Sequence, residues 1–237
     1  MTRCSWMVVF FGVVSVLCGG QVGAQIEVAG HDPAPPVVAP PRAPGDVVNL
    51  VVDDGTRENS VGQSGGGQIV WLNRFSPAEY PIQLSDIYVY FPSTVGLNVG
   101  ETFDVYLFED TDGDNDPATN SAFVGEQLGA TIAALDDWTT VTLSTPSDFN
   151  GPGDVLVAVV NRTAGADSGE YPAAIDETTS QGRSWIGIYS SGVAPSPPTF
   201  PADLFWGTVD DAGLPGNFMV RASGLVTPVE LLSLSVE

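Results

Sequence analysis

Residues Phe103–Pro117 read "FDVYLFEDTDGDNDP". In the first six, Phe103, Val105 and Leu107 alternate with Asp104, Tyr106 and Phe108. Successive side chains of an extended chain point to opposite faces, so this spacing predicts a strand over 102–109. It runs into Asp110-Thr111-Asp112-Gly113-Asp114-Asn115-Asp116, residues that favour turns over strands. The stretch "VLVAVVN" (155–161) differs. Val155, Val157 and Val159 share one face and the opposite face is apolar too, which predicts a strand covered on both sides in the middle of its sheet.

Working outward, short β-branched and aromatic runs alternate with Gly, Pro, Asn and Asp clusters. Strands are predicted at 47–52, 68–75, 82–91, 102–109, 125–133, 138–143, 154–161, 172–176, 184–189, 217–223 and 229–236. Helical periodicity is scarce. "AFVGEQLGATIAAL" (122–135) could be helical, but its two glycines and flanking turns favour a strand. The expectation is an all-β fold, a two-sheet antiparallel β-sandwich over residues 47–224 followed by a tail (225–237) with one further strand. About 180 residues in one such domain bury roughly 70% of the extended chain's surface, so one core suffices.

The first 24 residues have one charge, Arg3, then an apolar run from Trp6 to Leu17 and small residues up to Ala24. This is the pattern of a secretory leader cleaved after Ala24; the run is short of the about 20 residues a membrane span needs. Lipidation at Cys18 is the alternative, disfavoured because Leu17 stands where a small residue should precede the cysteine. Both cysteines, Cys4 and Cys18, fall within the leader, so the exported chain is expected to have no disulfide, cysteine nucleophile or zinc–thiolate site. No later segment is apolar enough to span a bilayer. Residues 25–46 read as a disordered linker, with six prolines in 32–44 and the only histidine, His31.

The chain has 29 acidic residues, seven arginines and no lysine, for a formal net charge of −22. Loss of Arg3 with the leader takes this to about −23. Nucleic acid and anionic membranes are repelled. Glycans, cations and extracellular proteins, basic ones above all, remain as partners. Without histidine or lysine in the folded part, neither a Ser–His–Asp nor a Ser–Lys arrangement can be built, and the expectation is that the protein is not an enzyme. An acidic-residue glycoside hydrolase is the remote alternative. It would rest on Asp136-Asp137 beside Trp138 or Asp210-Asp211 after Trp206, but strand neighbours face opposite ways and such pairs are common in turns.

Asp110, Asp112, Asp114 and Asp116 alternate in a loop between two predicted strands, with Glu109 just before them. Calcium takes six to eight oxygens, and every second side chain of a loop can turn toward one ion. Gly113 and Asn115 suit the left-handed backbone such a loop needs. The EF-hand pattern is not met: positions six and twelve from Asp110 hold Asn115 and Ser121 rather than glycine and glutamate. The competing reading is a solvated turn. Carboxylates about 5 Å apart repel by roughly 0.8 kcal/mol per pair in bulk water, which such a turn can bear. The candidate metal ligands are therefore Asp110, Asp112, Asp114, Asp116 and Glu109, and the candidate cofactor is structural Ca2+.

Other features read as structural. Asp53-Asp54-Gly55 is a turn, "GQSGGGQ" (62–68) a flexible loop, and Asp176 with Arg183 an ion pair across a loop. Asn161-Arg162-Thr163 fits a glycosylation sequon without implying use. Most aromatics are expected in the core. Trp206, in "SPPTFPADLFWGTVDD", is the candidate ligand-facing residue, since sugar-binding sandwiches stack pyranose rings on such side chains.

Five segments together, "VVDDGTRENSVGQSGGGQIVWLNRF" (51–75), "IYVYF" (87–91), "FDVYLFEDTDGDNDP", "VLVAVVNR" (155–162) and "AAIDETTSQGRSWIGI" (173–188), resemble a loosely defined secreted bacterial β-sandwich domain. That domain is jelly-roll-like and often attached to exported proteases and surface proteins. The resemblance covers roughly residues 48–223 and implies an accessory, non-catalytic role. The tail "TPVELLSLSVE" is similar to the lead-in of C-terminal sorting regions of surface-exported bacterial proteins. The leading expectation is a secreted extracellular or cell-surface interaction module, calcium-stabilised if the acidic loop binds; the alternative is a carbohydrate-binding module.

Overall fold

The computed structural model describes residues 26–28, 47–163 and 170–227. The expected leader, its cysteines, most of the linker including His31, and the tail strand at 229–236 lie outside the described residues. Among the described residues there are fourteen strands and no helix. In chain order they are β1 (Ile26–Val28), β2 (Val47–Leu50), β3 (Asn59–Gln63), β4 (Ile69–Phe75), β5 (Ile82–Phe91), β6 (Thr102–Asp110) and β7 (Ser121–Thr131). There follow β8 (Asp137–Phe149), β9 (Asp154–Asn161), β10 (Ala173–Asp176), β11 (Ser184–Ile188), β12 (Phe205–Thr208), β13 (Asn217–Phe218) and β14 (Val220–Val226).

All pairings are antiparallel. One sheet has six strands in the order β12-β11-β4-β9-β6-β7. Against it lie two four-stranded sheets, β2-β14-β5-β8 and β1-β3-β10-β13. One apolar core joins all three: Val105 and Val157 from the six-stranded sheet, Ile87 and Val220 from the second, Val61 and Ile175 from the third. The all-β sandwich expected from the alternation is the fold observed, with one of its layers divided between two sheets.

β9 lies centrally, between β4 and β6, and every one of its residues is buried. Its inward valines meet the main core. Its outward residues, Leu156, Ala158 and Val160, join Val70, Leu72, Tyr106 and Phe108 in a second apolar cluster. This cluster is roofed by the segment 189–204, through Tyr189, Ala194, Phe200 and Ala202. A strand apolar on both faces therefore has both covered.

Several expectations are corrected. Ile26–Val28, placed in the disordered linker, form β1 and pair with Val61–Gln63 of β3; the tripeptide "IEV" precedes the proline cluster and keeps its backbone donors. β3 and β12 were not expected, since "NSVGQ" is too polar and "FWGT" too short to show an alternation. Gly62 and Gln63, expected in a glycine loop, end β3, and the loop is confined to the residues after them. β8 extends beyond 143 to Phe149. The register steps from Asp86↔Thr142 to Leu84↔Ser147, so Pro146 falls in a bulge of an edge strand, where its missing N–H breaks no ladder. The segment 122–135 is strand, as β7.

The predicted strand 217–223 is two strands in two sheets. Met219 marks the switch: its N–H donates to Ala174 C=O and its C=O accepts from Tyr90 N–H. Phe218 and Val220 consequently face the other way, where β2 does not reach, since β2 pairs only with Ala222–Leu225. Two side chains of the six-stranded sheet stand in for the missing strand. The Asn73 amide donates to the carbonyls of Phe218 (2.7 Å) and Val220 (2.8 Å). Ser184 Oγ accepts the Phe218 N–H at 2.8 Å and donates to Asn73 Oδ1 at 2.6 Å. Asn73 and Ser184 are each fully buried and sit opposite one another in the β4–β11 register.

Asn73→Ala leaves two buried carbonyls and the Ser184 hydroxyl without their partner. At about 1–3 kcal/mol for a buried group left unsatisfied, the variant should lose about 3 kcal/mol of stability in urea unfolding. A loss under about 1 kcal/mol would show that the clamp is dispensable.

Candidate functional site

The acidic loop joins β6 to β7, which are registered from Thr102↔Thr131 to Asp110↔Ser121. Its turns are made where sequence chemistry allows: Gly113, Asn115 and Asn120 have φ of 66°, 72° and 49°. The aspartates cap the loop's own amides. Asp112 Oδ1 accepts from Asp114 N–H, Asp114 Oδ1 from Asp116 N–H (2.7 Å) and Asp116 Oδ1 from Ala118 N–H (2.9 Å). Thr119 Oγ1 donates to Asp114 Oδ2 at 2.8 Å, and Asn120 Nδ2 to Asp112 Oδ2 at 2.5 Å.

Three of the five candidate ligands converge. Asp110, Asp112 and Asp114 each bring a carboxylate oxygen within 4.8 Å of the other two. Asp112 and Asp114 are exposed, while Asp110 is fully buried, at 0%. Burial, then the Asp112 carboxylate beside it, pushes the Asp110 carboxyl up to about 6 against a weaker pull from the Asp112 amide. Asp112 itself is held below the usual carboxylate range by its bonds from Asn120 and Asp114 N–H. The other two candidates stand apart from this group. Glu109 is the strand neighbour of Asp110 and so faces the other way; its Oε1 accepts the Gly151 N–H at 3.1 Å. Asp116 caps Ala118.

Trp206, the candidate ligand-facing residue, is committed to protein packing. Its ring is stacked with Trp185 (centroids 5.5 Å apart) and Phe200 (4.8 Å). Phe200 contacts Phe108, and Phe108 contacts Phe123. This aromatic row crosses the outer face of the six-stranded sheet from β12 to β7, with Phe200 contributed by the 189–204 roof and Trp185, Phe200 and Trp206 only partly buried. Phe123, at the β7 end, is the member most open to solvent, at 48%.

The carboxylate pairs near tryptophans are turn-holders. Asp136 accepts from Ser93 N–H and lies 3.4 Å from Arg57, Asp210 accepts from Ser180 Oγ, and Asp211 accepts from Thr208 N–H and Oγ1. Asp54 and Gly55 (φ 97°) form the expected turn, but Asp53 is a buried ion-pair partner. Asn161 of the sequon is buried at 1% and unsuited to glycosylation.

The arginines reveal an organisation that the sequence hid. Arg57 pairs with Asp136, Arg74 with Asp154, Arg162 with Asp104, and Arg221 with Asp53. Arg162 also fastens the roof, donating to the carbonyls of Ala194 (2.6 Å) and Pro195 (3.0 Å) and to Gln68 Oε1. Arg221 grips both Asp53 oxygens and lies 4.4 Å from the centre of the Trp138 ring. The expected Asp176–Arg183 pair is not formed. Asp176 instead accepts the N–H groups of Asp54 and Thr178, because its position at the end of β10 aims it at the 53–56 turn. Arg183 donates to Ser76 Oγ and is the one described arginine outside an ion pair. It lines a groove of about 620 Å3 with β2, Val51, Asp53, the segment 75–79 and Val226.

No protein family matches the chain, and no curated protein matches it either. Among solved structures, the fold is similar to that of the cysteine protease and lectin-like domains of Cwp84, a surface layer associated protein of Clostridium difficile. The identity is 12% and the TM-score 0.51, over 77% of this chain and 36% of that one. The clostridial cysteine protease Cwp84 after propeptide cleavage is also similar, at 13% identity and a TM-score of 0.45, over 72% of this chain and 44% of that one. The chain thus spans between about a third and under half of the proteins it resembles, and the likeness is one of fold.

Arg221→Met leaves the Asp53 carboxylate buried with no counter-charge and should cost about 3–5 kcal/mol in urea unfolding. Adding Asp53→Leu should recover most of that loss. If the double variant is no more stable than the single one, the pair is not what makes Arg221 necessary.

Proposed function

We propose that the chain is a secreted, non-catalytic interaction module of an extracellular or cell-surface protein, and that the β2 groove receives its partner. The observation that carries this reading is Arg183. Four described arginines are held in ion pairs, three of them with buried carboxylates, so the exterior is left overwhelmingly acidic. The fifth lines a groove at the edge of a sheet. β2 ends the order β2-β14-β5-β8, so its outer backbone groups have no strand neighbour among the described residues. Val51, which lines the groove, leaves 45% of its surface exposed there.

An extended peptide segment fits these features. Its backbone pairs with the open edge, its apolar side chains cover Val51, and a carboxylate meets Arg183 in a two-pronged contact. The partner is thus an extracellular protein that presents a carboxylate-bearing strand. The fold shared with part of a surface-layer associated protein is in keeping with a setting outside the cell. A glycan partner has less support, because the Trp206 ring is stacked against Trp185 and Phe200 instead of standing free.

A display library of peptides with free C-terminal carboxylates tests the reading. Arg183→Glu should reduce recovery of the selected peptides at least tenfold while the melting temperature stays the same. Equal recovery by both proteins would remove the groove. Binding to insoluble polysaccharides that Arg183→Glu leaves untouched would move the function to a carbohydrate-binding module.

A further inference from the structure

We propose that Asp110, Asp112 and Asp114 hold one hard divalent cation, calcium above all, at the head of the β6–β7 hairpin. A row of aspartates in a loop does not by itself make a site. The independent observation is Asp110. Six carboxylates are buried among the described residues: Asp53, Asp104, Asp110, Asp154, Glu170 and Asp176. Five have partners. Asp53, Asp104 and Asp154 each face an arginine, Glu170 accepts from Asn161, and Asp176 accepts from two backbone amides. Asp110 faces no arginine, and neither of its oxygens makes a hydrogen bond of normal geometry; only the Asp112 amide lies toward it.

The contrast is sharpest across one rung of the sheet. Asp110 stands opposite Asp154 in the β6–β9 register. Asp154 is gripped by Arg74 and Ser76, whereas Asp110 points at two more carboxylates. Buried charge without a counter-charge is among the costliest arrangements a fold can hold, and a cation is the counter-charge this geometry lacks.

The dimensions agree. Calcium binds oxygen at about 2.4 Å, so oxygens around one ion lie at most about 4.8 Å apart. The three carboxylates fall within that limit. The donors are all carboxylate oxygens, which selects hard cations over zinc or copper. Asp112 and Asp114 are already oriented by amide, threonine and asparagine donors, and each carboxylate oxygen keeps lone pairs free for metal. Glu109 and Asp116 lie outside the ligand set. The proposal is independent of the β2 groove, since the two use different residues and different elements.

The test is thermal unfolding and titration calorimetry of the purified chain, stripped with chelator and then given CaCl2 to about 10 mM. Sodium chloride at matched ionic strength is the control, because so acidic a chain gains from screening alone. Calcium should raise the midpoint about 3–10 °C above the sodium control, for a dissociation constant near 10⁻⁴ to 10⁻³ M and one ion per chain. Asp110→Asn should abolish that gain and, by removing a lone buried charge, raise the midpoint of the ion-free protein. Asp112→Asn and Asp114→Asn, at exposed positions where folding is not at risk, should also abolish it, whereas Asp116→Asn and Glu109→Gln should keep it. A rise no larger than that in sodium chloride, no heat of binding, or a calcium gain undiminished in all three aspartate-loop variants would overturn the site.

Discussion

Where one strand leaves its sheet for another, its backbone must find new partners, and here a side-chain amide supplies them. The switch at Met219 turns Phe218 and Val220 toward a side where no strand runs. Asn73 and Ser184, both from the opposite layer, take up the exposed donor and acceptors. The bond between them satisfies the remaining polar atoms, so the network closes without water. It also fixes how the layers meet, because both residues are paired in the β4–β11 ladder while they bind the switching strand. Apolar burial drives the sheets together but leaves their relative position loosely specified; a hydrogen-bonded clamp in a low-dielectric interior does not.

Charge is arranged on the same principle. With no disulfide among the described residues, internal ion pairs do part of the joining. Asp53 ties the turn after β2 to β14, Asp104 ties β6 to the end of β9, and Asp154 ties β9 to β4. Each places a scarce arginine against an aspartate that burial would otherwise make costly. The consequence is felt outside. Cationic groups that might have tempered the acidic surface are withdrawn from it, so the long-range field is that of carboxylates. Arg183 is the described arginine outside this pairing, on a groove, and Asp110 is a buried carboxylate that none of the paired arginines meets, beneath a loop.

The outer face of the six-stranded sheet shows how an apolar surface is kept from water by a loop instead of a third sheet. Tyr189 closes the 189–204 segment on itself by donating to Thr199 C=O at 3.0 Å, and Arg162 pins its middle. Phe200 is delivered into the aromatic row by this means. A segment rich in prolines and serines thus performs a core function, and the rings that composition would assign to ligand binding are used for packing.

The alternation in Phe103–Phe108 and the double-sided run in 155–161 were enough to determine an all-β sandwich, and to place β9 centrally. Side-chain period and burial are local properties of a strand, legible wherever one or both faces are apolar. The acidic loop was legible for the same reason, as was its left-handed backbone at Gly113 and Asn115. Tertiary structure alone decided the rest. Nothing in "NSVGQ" marks a strand, because its burial comes from neighbours β1 and β10. No spacing pairs Arg221 with Asp53 or separates Asp176 from Arg183, since these are meetings of chain segments distant in sequence. Which aspartates converge was settled by strand parity at the loop's entrance, which turns Asp110 inward and Glu109 away. Which of them lacks a counter-charge was settled by Arg74, which holds Asp154 and not Asp110 across the same rung.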